Sequence, residues 1–192
     1  MARPPKFDRD DALRRAMYLF WERGFDRTSI NDLTAAMGIS APSLYAAFGD
    51  KQALFDAAVD LYEQESVVPP SLEESTARGV VEEILDRAVD LYARPAHPRG
   101  CLVIADPTLK ERRLSGRDAL VKRLRRAKRA GDLPADSDPR ALADYIDLVL
   151  RGLSSQARDG ATRAQLRAAA DVALAAWPAR MTAGEPPGTL DG

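Results

Sequence analysis

Few side chains in this sequence are of the kinds that do covalent or metal chemistry, and their spacing leaves little for them to do. His97 is the only histidine and Cys101 the only cysteine, so one chain cannot assemble a two-histidine metal site or a cluster of histidines and cysteines. Asp86 and Asp90 lie one helical turn apart, a spacing that places paired carboxylates on a solvated face. No nucleophile and base pair up and no glycine-rich phosphate loop is visible. No catalytic residue and no cofactor is therefore expected. Groups that bind without reacting remain, among them the hydroxyls of Ser40, Ser43 and Tyr45 within one short segment. Hydroxyls, ammonium groups and helix N-termini suit phosphate oxygens, and short apolar groups suit a thymine methyl.

The elements that must position these groups are helical throughout, since apolar residues recur three or four apart and strand signals are almost absent. The expected fold class is all-α, with about nine helices. A first helix from Asp8 to Arg23 carries the stripe Ala12, Leu13, Ala16, Met17 and Phe20 and stops at Gly24. Ser29-Ile30-Asn31-Asp32 matches a capping box, opening a helix to Met37. Gly38 ends it, and Ser40 caps another helix with Pro42 in its first turn, ending near Phe48. Asp50 caps a fourth helix toward Ser66, before the interruption Val68-Pro69-Pro70. Ser71-Leu72-Glu73-Glu74 reads as the start of the next helix, and Thr162-Arg163-Ala164-Gln165 as the capping box of the last.

The wording of the first part is more specific than its spacing: Gly24-Phe25-Asp26-Arg27-Thr28-Ser29-Ile30, then Ala36-Met37-Gly38-Ile39-Ser40, then Ser43 through Phe55. From about Asp8 to Leu61 the chain resembles the N-terminal signature of the TetR family of transcriptional regulators. The resemblance implies a helix-turn-helix at 29–48 inside a DNA-binding domain at 1–65, and an effector-binding and dimerisation domain at 66–180. Residues 181–192 read as a disordered tail. It further implies base-edge contacts from Ala41, Pro42 and Ser43 and phosphate contacts from Thr28, Ser40, Tyr45 and Lys51. The implied partners are double-stranded operator DNA, a second copy of the chain and an unidentified small-molecule effector. Tyr62, Tyr92, Cys101, Tyr145 and Arg151 are the candidate lining of the effector pocket. The implied activity is that of a repressor, bound to a palindromic operator as a homodimer and released by the effector.

Composition agrees in some respects and complicates others. The 192 residues are 45% hydrophobic and 30% charged, enough apolar surface to fold without disulfides. A lone cysteine, no signal peptide and no apolar run long enough to span a bilayer point to the cytoplasm and away from membranes. Formal net charge is −1, and residues 1–51 hold eight basic and seven acidic groups, a weak footprint for nucleic acid. Arg3, Lys6 and Arg9 fit equally an arm along the DNA and a disordered tail. The densest basic run, Lys110 to Arg129, holds ten basic residues against Glu111 and Asp118; its apolar side makes a solvated face the simpler reading. The alternative function is an adaptor that uses this face for an acidic partner, and a weaker one is a small helical enzyme. From Ala164 to Trp177, eleven of fourteen residues are hydrophobic, which implies packing against a second copy of the chain.

Overall fold

The structure is a computed structural model that describes residues 7–64 and 72–178. Among the described residues it holds nine α-helices, one short 3-10 turn and no strand. The N-terminal group is α1 (Arg9–Arg23), α2 (Ile30–Met37), α3 (Ala41–Phe48) and α4 (Lys51–Gln64). The second group is α5 (Ala77–Tyr92), α6 (Leu102–Ala105), α7 (Lys110–Arg129), α8 (Pro139–Arg158) and α9 (Arg163–Ala175).

Local chemistry sets most of the ends. Asp8 accepts from the backbone N–H of Asp10 and Asp11 at the start of α1, and Asp50 accepts from that of Ala53 at the start of α4. Thr162 caps α9 as the sequence predicts, and Asp138 caps α8 by accepting from Arg140 N–H. The start of α5 differs from expectation. Ser71 lies outside the described residues, and the helix opens at Ala77 with Thr76 as its cap, accepting from Gly79 N–H. The reason is tertiary: the carbonyls of Leu72, Glu74 and Ser75 accept from the buried guanidinium of Arg123 on α7, so this stretch is held in turns. The interruption at Val68-Pro69-Pro70 and the tail from 181 also lie outside the described residues.

Three helix faces close the second group. Helix α5 packs on α8 and α9, and α7 packs on α8. Asp86 and Asp90 lie on a solvated face as expected, with side chains 47% and 54% exposed, and there pair with Arg167 and Arg163 of α9. Helix α6 is only four residues long, yet it touches α1 and α4 on one side and α7 and α8 on the other. Its position depends on Gly100, whose φ of +79° is left-handed and whose missing Cβ would lie 2.8 Å from the backbone oxygen of Ser154. The Ser154 hydroxyl accepts from Cys101 N–H at 2.9 Å, so the loop is drawn directly against α8.

Alanine at position 100 meets both a strained backbone and a main-chain clash. Gly100→Ala is expected to lower stability by about 2 kcal/mol, or roughly 4–8 °C in Tm for a chain of this size. A thermal melt with unchanged Tm would contradict this packing.

Candidate nucleic-acid interface and effector cavity

The helix-turn-helix is built from a few local devices. Ser29 and Asp32 form the complete capping box at the start of α2. The Asp32 carboxyl is held below the usual carboxylate range, first by the Ser29 side chain and next by its backbone N–H. Gly38 is left-handed at φ +70°, which returns its N–H to Thr34 O and turns the chain into α3. Leu33, Met37, Leu44 and Phe48 are buried between the helices, with Ile30 and Ile39 half-buried beside them, as their spacing predicts.

The face left outward is chemically sparse. Ser40 accepts from Ser43 N–H, and the two hydroxyls bond each other at 2.9 Å, at the exposed N-terminus of α3. Ala41 and Ser43 are half-buried and Pro42 is exposed. Tyr45 is 49% exposed, one of three large apolar side chains left outward among the described residues. Lys51 places its ammonium 4.2 Å from the centre of the Phe25 ring, which fixes it near this face. Arg9 lies within α1, with its guanidinium 4.7 Å from the Phe48 ring centre, and so is not part of a free arm. Thr28 differs from its expected exposure: it is buried, and its hydroxyl donates to Gly24 O at 2.7 Å, so in this structure it anchors the turn before α2. Arg27 beside it is exposed and donates to Arg23 O, adding a cation to the same edge that sequence reading passed over.

A cavity of about 340 Å³ opens between α4, α5, α6, α7 and α8. Tyr62, Tyr92 and Cys101 line it as expected. The Tyr62 hydroxyl donates to Cys101 Sγ at 3.2 Å. Burial, with Cys101 close by, pushes both phenols well above their ordinary range, so they remain neutral donors. Ile84, Val103, Leu120, Ile146 and Leu150 supply apolar wall. Tyr145 is not part of this lining, because it faces the other side of α8 and donates to Ala173 O on α9. Arg151 is also outside it, drawn to Asp147 one turn away.

Half of the basic run on α7 is engaged within the fold. Arg112 bridges Asp60 and Glu63 on α4, and Lys128 donates to Ser137 O. Arg113 donates to the carbonyls of Val103 and Asp106, while Arg117 reaches Asp118 and Asp144 at 3.2 and 3.3 Å. With Arg123, five of the ten basic side chains are engaged within the fold. Arg117 is incompletely so: its Nε is buried and has no acceptor, a state that costs about 1–3 kcal/mol for a polar group.

Asp106 connects the cavity to the helix-turn-helix. It is 2% exposed, and its carboxylate accepts from Phe25 N–H at 2.8 Å and from the N–H and hydroxyl of Thr108. Its own carbonyl accepts from Arg113, a lining residue of the cavity.

Known proteins match this arrangement. A family model described as bacterial regulatory proteins of the tetR family covers residues 12–58. The HTH-type transcriptional repressor ComR of Escherichia coli (strain K12) is 31% identical, with 92% of this chain and 91% of that protein covered. The chain belongs to the TetR family. BdcR, another HTH-type transcriptional repressor of that strain, is 32% identical across 89% of each chain. A cysteine-substituted TetR-family regulator, CifR, solved with 26-bp double-strand operator DNA, is 40% identical, with a TM-score of 0.85 over 92% of this chain and 100% of that one. As a TetR-family member the protein is a DNA-binding transcriptional regulator and not an enzyme. No helix among the described residues is long and apolar enough to cross a membrane.

Substituting Asp106 removes the acceptor of a partly buried N–H at Phe25. Asp106→Ala should cost about 2 kcal/mol, measured by urea unfolding, whereas Asp106→Asn, which keeps one carbonyl acceptor, should cost less. Equal losses for the two would show that hydrogen bonding at Phe25 is not what the site supplies.

Proposed function

We propose that this TetR-family regulator is a cytoplasmic repressor that binds a palindromic operator as a homodimer and releases it when a small molecule enters the cavity. In this reading residues 1–65 form the DNA-reading part and residues 66–180 the body. The observation that supports it most is the outward face at the N-terminus of α3, where Ser40, Ala41, Pro42 and Ser43 stand beside exposed Tyr45. An α-helix presented by its N-terminal residues fits the major groove. Ala41, Pro42 and Ser43 would meet base edges, and Ser40, Tyr45 and Lys51 would meet phosphates, with Arg27 as an added cation. Thr28 would contribute through the turn it holds, or by a phosphate bond after turning its hydroxyl outward.

Support for a homodimer comes from the other end of the chain. Leu148 on α8 is 67% exposed and Val172 on α9 is 72% exposed. Between the two helices runs a groove walled by Val149, Gly152, Leu166, Ala169 and Tyr145. Two copies joined through α8 and α9 would cover these faces in a four-helix interface. Release would follow from a ligand that favours one position of α6, which touches both α1 and the cavity-forming helices, and so shifts the separation of the two readers.

DNase footprinting across the protein's own upstream region and neighbouring genes should reveal protection of a two-fold site with half-sites about one helical turn apart. Absence of any such site would sink the proposal. Lys51→Ala should flatten the slope of log affinity against log salt by about 0.9 for each phosphate that is no longer neutralised, without changing the thermal melt beyond the effect of the cation on the Phe25 ring. Leu148→Asp together with Val172→Asp should yield monomers by analytical ultracentrifugation, with operator affinity reduced at least about 100-fold; a double variant that stays dimeric would place the interface elsewhere.

A further inference from the structure

Three neighbours on α7 share the cavity wall: Arg113, Gly116 and Arg117. The two arginines are one helical turn apart and so point along the same face. Gly116 lies between them, and a Cβ built there would meet nothing within 4 Å, so the wall is open at that point. The other charged groups of the lining are already matched. Glu63 is held by Arg112, and Asp147 by Arg151. Arg113 and Arg117 are not matched in the same way. Arg113 is bonded to main-chain carbonyls alone among its described contacts, leaving its charge without a carboxylate. Arg117 has two long ion pairs, one of them to Asp118, whose side chain is 59% exposed, and its Nε has no acceptor.

We infer that the effector cavity takes a hydrophobic carboxylate, whose anionic end lies over Gly116 beside Arg113 and, once the Arg117 side chain turns away from Asp118 and uncovers its buried Nε, accepts from that Nε and one terminal nitrogen. This rests on the cavity being the effector site. A planar guanidinium meets a carboxylate side-on through Nε and a terminal nitrogen, supplying two parallel hydrogen bonds. The exposed contact with Asp118 is of the weak surface kind and is readily exchanged for such a pair. The rest of the molecule would lie against Ile84, Leu120, Ile146 and Leu150. A cation is disfavoured by two unmatched arginines, and a neutral ligand would leave the charge of Arg113 uncompensated.

The test uses the full-length protein without DNA and two matched probe pairs, octanoate with 1-octanol and 4-phenylbutyrate with 4-phenylbutanol, titrated by calorimetry and then in an operator-release assay. In at least one pair the acid should bind about tenfold tighter than its alcohol, and Arg117→Met should abolish that preference while leaving alcohol affinity unchanged. Arg117→Lys, which keeps the charge but lacks the planar fork, should reduce the preference about threefold or more, and it serves if the methionine variant melts early. Alcohols that bind as tightly as the acids, or a preference that survives Arg117→Met, overturn the inference. Operator release by the alcohols alone overturns the carboxylate and keeps the effector cavity; no binding by any probe overturns both.

Discussion

A carboxylate buried to the degree of Asp106 is unfavourable unless its oxygens are met by donors, and this fold meets them with the N–H of Phe25 and the N–H and hydroxyl of Thr108. One of those donors belongs to the turn before α2, the others to the segment after α6. The two groups of helices are therefore joined at a point where separation would strand both a buried charge and a backbone N–H. Their other contacts are more forgiving, since apolar faces can slide. The aromatic cluster of Phe20, Phe25 and Phe55 surrounds the same turn, with ring centres 4.9 to 6.2 Å apart, and limits how far Phe25 can move. A displacement of α6 would therefore meet the turn before α2 through a hydrogen bond and a packed ring at the same residue, Phe25.

What is legible in the sequence follows the range of the interactions. The helix-turn-helix can be read because its determinants lie within a few residues of one another: Ser29 with Asp32, Gly38 with Thr34, Ser40 with Ser43. The same holds for the capping box at Thr162 and the cap at Asp50. Where a distant residue decides, local patterns mislead. Ser71-Leu72-Glu73-Glu74 has the letters of a helix start, but Arg123, about fifty positions away, takes the carbonyls a helix would have used. Asp86 and Asp90 are the solvated pair that their spacing suggests, but their partners are not local, since only the chain's return as α9 brings Arg163 and Arg167 to them. Tyr145 has the residue type of a pocket lining, yet the rotation of α8 turns it to the face opposite the cavity.

The basic helix shows the same limit in electrostatic form. Ten cations in twenty residues suggest an outward field, but charge counted along a chain says nothing about where each group is neutralised. Arg112 is matched by carboxylates of α4, Arg123 by carbonyls before α5, and Lys128 by the carbonyl of Ser137. These contacts hold α7 across the cavity, so half of its charge is engaged within the fold. Gly116 is equally unreadable from sequence, because a glycine inside a charged helix reads only as a weak point until the open space beside it is known.

The low charge of the DNA-reading segment then has a physical consequence. Residues 1–51 differ by a single positive charge from neutrality, and Arg9 and Lys51 lie over aromatic rings. Counterion release, the effect that drives most proteins onto DNA, scales with the number of phosphates neutralised. One such head neutralises few. In the proposed homodimer, affinity would come from coupling two heads so that the second binds at high effective concentration, which would give α8 and α9 a share of operator binding although they lie outside the helix-turn-helix. In such an arrangement the spacing between heads would matter more than the strength of either, and the contact between Asp106 and Phe25 joins the segment after α6 to the turn that leads into one head.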